Sequence, residues 1–228
     1  ETIQVSRQVQ GFVITGRLDG AATDSHGVRV NLGAGVTTAE NAPAACVAGF
    51  AAQPAPPCVS AHARVSPRAN AMFGAAISEG LVNQALHAAW KSGRLCIDSR
   101  AIDNPALTAG VAQLAGMIGQ PEGTDFAFTA RMQAPPRVRL SIKGGVELQI
   151  TGLALRLTMQ PPGGPLNEVG VRASLSVSAV PWVDPSGNML ALDLRRVTVR
   201  ELSLQGKDGA PSPIALDPAR LTRFITTV

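Results

Sequence analysis

The longest uninterrupted helical pattern in the chain runs from Met72 to Leu95, MFGAAISEGLVNQALHAAWKSGRL. Ile77, Leu81, Ala85, Ala88 and Ala89 recur at three- and four-residue spacing, and Val82, Leu86 and Trp90 widen that apolar face. Gly93 stands where helices commonly stop, and Lys91 and Arg94 suit the negative end of the helix dipole. At about 1.5 Å per residue such a rod is roughly 35 Å long. It serves either as an ordinary core helix or as the spine of an elongated sheet wrapped around it.

The chain beyond the rod favours sheet. From Asp125 onward the period changes from helical to alternating. Phe126, Phe128, Ala130 and Met132 alternate with polar or small residues, as do Val138, Leu140 and Ile142, then Val146, Leu148 and Ile150 beyond a Gly144-Gly145 turn. Leu153, Leu155 and Leu157 repeat the theme before the breaker Pro161-Pro162-Gly163-Gly164. Val169 to Val177, Met189 to Leu194 and Val197 to Leu204 complete the set. One apolar and one wet face on nearly every strand is the mark of antiparallel sheet. Before the rod, Ile3 to Leu18 reads as one strand with a bulge near Gly11 and a turn at Asp19-Gly20, and Val28 to Leu32 as a second ending at Gly33. The Ala/Pro-rich stretch 41–57 reads as a loop or insertion, and Val59 to Val65 as a short strand. Leu95-Cys96-Ile97 reads as a further short strand, Leu107 to Ile118 as a shorter helix, and Asp217-Pro218 opens a helix over Ala219 to Ile225. The sequence stops as that helix begins, so the domain is expected to be C-terminally incomplete.

Composition narrows the function classes. Hydrophobic residues make up 45% of the 228 residues and charged residues 16%, the balance of a globular chain. Aromatics are only 4% with no tyrosine, so stacking platforms for single-stranded nucleic acid are poorly supplied. The net charge of +4 comes almost entirely from arginines scattered along the chain, Arg195-Arg196 being the one adjacent pair. A nucleic-acid footprint clusters its charge, so no nucleic-acid partner is expected. No apolar run reaches the eighteen or so residues of a membrane helix.

No catalytic constellation stands out. Gly33-Ala34-Gly35 begins like a dinucleotide loop but lacks the third glycine and the acidic residue beyond it, and neither a phosphate-cradling loop nor a Gly-x-Ser-x-Gly elbow is present. His26, His62 and His87 are isolated; His87 reads first as a solvated or capped helix histidine. Glu79 with Asp98, and Asp193, read as solvated carboxylates. No metal, cofactor or enzymatic activity is expected. Among the cysteines, a local Cys46–Cys58 disulfide is the first expectation and favours an exported protein. Cys58–Cys96 is its competitor, and three reduced core cysteines the alternative to both.

Ser78-Glu79, Asn83, Ala85 and the Gly93-Arg94-Leu95 ending carry a resemblance. Later segments carry it further, in order: Leu107–Ile118, Pro135-Pro136 with Arg137-Val138-Arg139-Leu140, Thr151-Gly152-Leu153, Leu192–Leu204 and the helix start at Asp217. Over residues 70 to 228 the chain resembles the second barrel of bactericidal/permeability-increasing protein and its lipid-transfer relatives, the tubular lipid-binding superfamily. It departs from that pattern at Arg94, which replaces an apolar residue, and in carrying Ala and Leu where aromatics are expected on the helix.

The resemblance implies an α+β fold, a long, highly twisted antiparallel sheet wrapped around a long helix. Residues 71–228 form that domain, and residues 1–70 a strand-rich segment belonging to a central sheet or a preceding barrel. It implies non-catalytic binding or transfer of a lipid or fatty-acyl ligand in a groove between helix and sheet, in a secreted, periplasmic or cell-surface protein, with a membrane surface as a further partner. Lining residues under that reading are Phe73, Ile77, Leu81, Leu86 and Trp90, then Phe126, Phe128 and Met132, and finally Leu221, Phe224 and Ile225. The competing reading is an extracellular β-rich structural or adhesion module with a fully packed core, in which the same residues are plain core.

Overall fold

The computed structural model describes residues 4–24, 27–39, 43–50, 56, 77–101, 121, 123–141, 145–183 and 190–206. The chain forms two compact units, Glu1–Gly93 and Arg94–Val228. Helix 107–118, the strand 59–65, the helix 219–225, and Cys58, Phe73, Leu221, Phe224 and Ile225 lie outside the described residues.

In the first unit, strands β1 (Gln4–Val9), β2 (Phe12–Asp24) and β3 (Gly27–Thr38) make an antiparallel sheet in that order. The stretch expected as one bulged strand is a hairpin. Gln10 (φ 48°) and Gly11 (φ 82°) both take positive φ, the geometry of the tight turns whose twist matches that of paired strands. The expected turn at Asp19-Gly20 is instead a register irregularity between Leu18 and Gly20 inside β2, and β3 runs on past Gly33. Val5, Ile14, Leu18, Val30 and Leu32 fall on one face of this sheet and are exposed.

The helix α1 spans Glu79–Lys91, 13 residues, or about 20 Å. Ser78 caps it, its hydroxyl accepting from the Leu81 N–H at 3.2 Å. The Ser-Glu pair singled out in the sequence is thus a helix start, and Ile77 lies just outside the helix, 60% exposed. The buried residues of α1 are Gln84, His87, Ala88 and Trp90. Gln84 ties the helix to the outer strand of the sheet, its side-chain oxygen accepting from the Val36 N–H at 3.3 Å. That bond satisfies a donor on a strand that has no further strand beyond it among the described residues. At Gly35 a Cβ would sit 2.9 Å from the hydroxyl of the paired Thr15, which itself donates to the Gly35 carbonyl at 3.4 Å.

The second unit is built on one antiparallel sheet in the order β4 (Ile97–Asp98), β5 (Asp125–Met132), β7 (Val146–Gln160), β8 (Asn167–Val183), β9 (Leu190–Gly206). Strand β6 (Arg137–Leu140) also pairs with β7, along Val146–Gln149, whereas β5 pairs along Leu153–Gln160. The two therefore lie end to end on the same side of β7. At the junction Gly152 has φ +66° and its amide carbonyl accepts from Gln133 N–H at 3.0 Å. A Cβ there would sit 2.8 Å from the Gln133 side-chain oxygen, so the crossing from β5 to β6 needs glycine at this point. Leu157, Met159, Val169 and Val171 form the buried cluster of the dry face, with Phe126, Phe128, Leu155, Leu202 and Leu204 packed on it.

This overturns the expected sheet wrapped around a long helix. α1 is the one α-helix among the described residues, it is little more than half the expected length, and the strand it packs on is β3 of the first unit. The fold is mostly antiparallel sheet. The error has a physical source, since amphipathic periodicity shows that a helix buries one face but not which sheet covers it.

The disulfide also differs from expectation. Cys46 pairs with Cys96, not with Cys58. The Ala44 N–H donates to the Lys91 carbonyl at 2.9 Å, docking the turn before the 3-10 helix Ala48–Phe50 onto the end of α1, and Val47 in that turn is 1% exposed. Gly93 ends the helix with φ +76°, its N–H donating to the Trp90 carbonyl at 3.0 Å. The Cβ position of Gly93 lies 3.2 Å from Cys46 Sγ. Cys46 is thereby held beside the chain three residues before Cys96, although Cys58 is far nearer in sequence. Closing a loop of about 50 residues, the bond stabilises the fold by roughly 4 kcal/mol in the chain-entropy account.

Replacing Gly93 with alanine forces a side chain into the left-handed region and places its Cβ 2.6 Å from that of Ala44. We expect a loss of about 2–3 kcal/mol, read as a fall of roughly 4–12 °C in melting temperature. Gly16→Ala, where a Cβ meets nothing within 4 Å, serves as the control and should stay close to wild type. Equal melting temperatures for both variants would refute this account of the helix end.

Candidate functional site

Period-two alternation along the register sorts the second sheet into two faces with different chemistry. Of the residues expected to line a lipid groove, Phe126 and Phe128 lie together on the dry face, packed against Leu157, Met159, Val169 and Val171. Met132 continues the same side of β5 and is half-buried. Leu81 and Leu86 are half-buried on α1, and Trp90 is 1% exposed there. These three belong to the first unit and the β5 residues to the second. His87, expected to be solvated, is instead buried with its ring 5.8 Å from that of Trp90, one helical turn away.

The wet face carries the residues with chemical capacity. Register places Arg131, Arg137, Arg139, Arg156, Arg172 and Arg196 on it, against Glu147, Glu168 and Glu201. Serines fill the middle of the face. The Ser176 hydroxyl donates to Glu147 at 2.5 Å, and the Ser174 hydroxyl donates to Glu201 at 3.0 Å while accepting from Gly152 N–H at 3.4 Å. Each buried hydroxyl thus has a partner, as a low-exposure polar group requires. Arg200, at a β9 irregularity, reaches Glu147 at 3.6 Å, and Arg195 pairs with Asp193 at 2.7 Å. The Glu147 carboxyl is held below its ordinary value of 4.5. The Ser176 hydrogen bond contributes most, then that of Gln149, with partial desolvation opposing and the nearby Arg200 and Arg139 charges adding to the shift.

Lower on the same face the sheet is hollowed into a groove of about 220 Å³. Two adjacent cross-strand rows build it. In one, Arg131 on β5, Ala154 on β7 and Arg172 on β8 stand side by side. In the next, Thr129, Arg156, Gly170 and Gln205 do the same. Ala154 and Gly170 have almost no side chain, so they form a low floor between arginine walls. Arg156 is engaged by Glu168 at 3.1 Å. Among the described residues, no carboxylate pairs with Arg131 or Arg172.

Arginine stays protonated at any ordinary pH, so its three side chains supply the groove with fixed charge and planar donors, beside the Glu168 carboxylate that also lines it. Reading the sequence linearly misses it, because the three arginines are 16 to 41 positions apart and only strand register makes them neighbours. The available signal was that each occupies the polar phase of the alternation on its own strand. Among the described residues there is no group of three His, Cys, Asp or Glu side chains able to hold a metal ion, and no helix long and apolar enough to cross a membrane. No protein-family model matches the chain, and no curated protein is similar to it.

A carboxylate whose folded pKa lies below its unfolded value contributes stability in full above the unfolded value and loses it as pH falls through the folded one. Glu147→Gln should therefore be less stable than wild type at pH 7, with the difference closing as pH falls below 4.5. Urea midpoints at pH 7, 5 and 3 measure this; a gap that stays constant down to pH 3 would contradict the assigned role of Glu147.

Proposed function

We propose that the protein is an exported, non-catalytic, β-rich structural or adhesion module that works through its surface and not through an internal cargo cavity. The observation that carries this reading is the packing of Phe126 and Phe128 on Leu157, Met159, Val169 and Val171, with Met159 and Val169 at 0% exposure. Burial of these side chains against one another supports a packed core over a groove held open for an acyl chain. Interiors packed at crystal-like density leave little space for a guest, and a hydrocarbon ligand needs a continuous apolar cavity. The lipid-binding reading also required the long helix to lie in the concave side of the large sheet, whereas α1 packs on β3.

Export is supported by the Cys46–Cys96 bond, since structural disulfides persist in oxidising compartments. The arginine-rich wet face supports action by contact, because fixed charges on a rigid sheet recognise a partner without any chemical step.

Native mass spectrometry of protein purified without detergent, together with solvent extraction, tests this reading. We expect the mass of the bare polypeptide and no saturable binding of a fluorescent fatty-acyl probe. A stoichiometric lipid that leaves only on denaturation would overturn the packed-core reading and restore lipid carriage.

A further inference from the structure

We propose that the groove between Arg131, Arg156 and Arg172 is a binding site for a phosphate monoester. The inference goes beyond the structural or adhesion role and stands whether or not the interior carries a guest, because the groove lies on the opposite face of the sheet from the Leu157–Val171 cluster.

Charge matching selects the ligand class. Arg156 is already neutralised by Glu168 at 3.1 Å, which leaves Arg131 and Arg172 facing one hollow with no carboxylate partner among the described residues. A phosphate monoester at neutral pH carries about −1.5 to −2, whereas a carboxylate or a phosphodiester carries about −1. Geometry agrees with charge. Arg131 and Arg172 are separated by the single β7 residue Ala154, so their backbones are two strand spacings, roughly 9–10 Å, apart. That separation lets two extended guanidinium groups converge from opposite sides on one tetrahedral anion, each offering the parallel N–H pair that suits phosphate oxygens. Size agrees too. A volume of about 220 Å³ falls below the roughly 300–1,000 Å³ of pockets that enclose drug-sized ligands, so the groove takes the phosphate end of a molecule and leaves the remainder outside.

The floor supplies independent support. A side chain at position 154 or 170 larger than methyl would occupy the hollow. At Gly170 neither backbone strain nor crowding demands glycine, since its φ is not positive and the nearest atom to a built Cβ is the Gln205 carbonyl oxygen at 3.5 Å. β-Branched residues suit such a strand position better than glycine does. The absent side chain is therefore explained by the space it leaves.

A phosphate monoester can come free in solution or on a lipid headgroup, and two probes separate these sources. Glycerol 3-phosphate is titrated by calorimetry, and phosphatidylcholine vesicles with and without 10% phosphatidic acid are tested by co-sedimentation. Each is measured for wild type, for the double variant Arg131→Gln/Arg172→Gln, for Gly170→Val and for Arg195→Gln, with melting curves confirming that each variant is folded. Saturable wild-type binding is expected with at least one probe. It should weaken about tenfold or more in the double variant and comparably in Gly170→Val, which blocks the floor without changing charge. Arg195→Gln, ten residues along β9 from Gln205 and paired with Asp193, should bind like wild type. Binding of glycerol 3-phosphate identifies a soluble ester, and binding of the acidic vesicles alone identifies a headgroup. Absence of binding in both arms, an equal loss in Arg195→Gln, or unaltered binding by Gly170→Val would each overturn the site.

Discussion

The antiparallel ladder through β7, β8 and β9 is the constraint on which the second unit depends. Its strands run 15, 17 and 17 residues, long enough that a one-residue slip would turn Met159, Val169 and Val171 out to water and bring Arg156 and Arg172 into the interior. Burying those guanidinium groups unpaired would cost far more than any local adjustment regains. The alternation therefore fixes the register, and the register in turn assembles both the packed dry face and the arginine groove behind it. Neither exists on any single strand.

The first unit meets a different problem by different means. Among the described residues β3 is the outer strand, and α1 addresses its edge through one polar side chain, Gln84 to Val36 N–H. At the far end of the helix, Gly93 and the docked turn at Ala44–Val47 bring Cys46 to the place where Cys96 can reach it. A buried glutamine and a left-handed glycine thus do there part of what continuous apolar packing does in the larger sheet.

Much of the second sheet was legible in the sequence, because alternation over β5, β6, β7 and β8 is a local signal. The irregularities were legible as well. On β7 the apolar spacing changes from two to three between Ile150 and Leu153, and on β9 it does so between Leu194 and Val197 and between Val199 and Leu202. The ladder shifts register at these places, so the extra residue keeps each strand's apolar side on the dry face. Reading the first two of these gaps as strand breaks divided two continuous strands into four. The hairpin at Gln10-Gly11 was missed because a Gly inside an alternating run suits a bulge as well as a turn. What the sequence lacked was long-range partnership: which sheet α1 covers, which cysteine Cys46 meets, and which arginines share a row. Each is set by tertiary contact and leaves no periodic trace in the chain. The resemblance to lipid-transfer barrels had the same weakness, since its Ser-Glu motif is also what a capped helix start looks like, and Ser78 is such a cap.

The second sheet is packed on its dry side and charged on its wet side. The direct measurement is a set of nuclear Overhauser contacts from the Phe126 and Phe128 rings to the Met159, Val169 and Val171 methyl groups, recorded on protein that has been denatured, stripped of lipid and refolded. Sharp methyl signals and the same aromatic–methyl contacts are expected before and after stripping. Loss or broadening of those contacts in the stripped protein, restored by adding a fatty acid, would contradict the packed dry side.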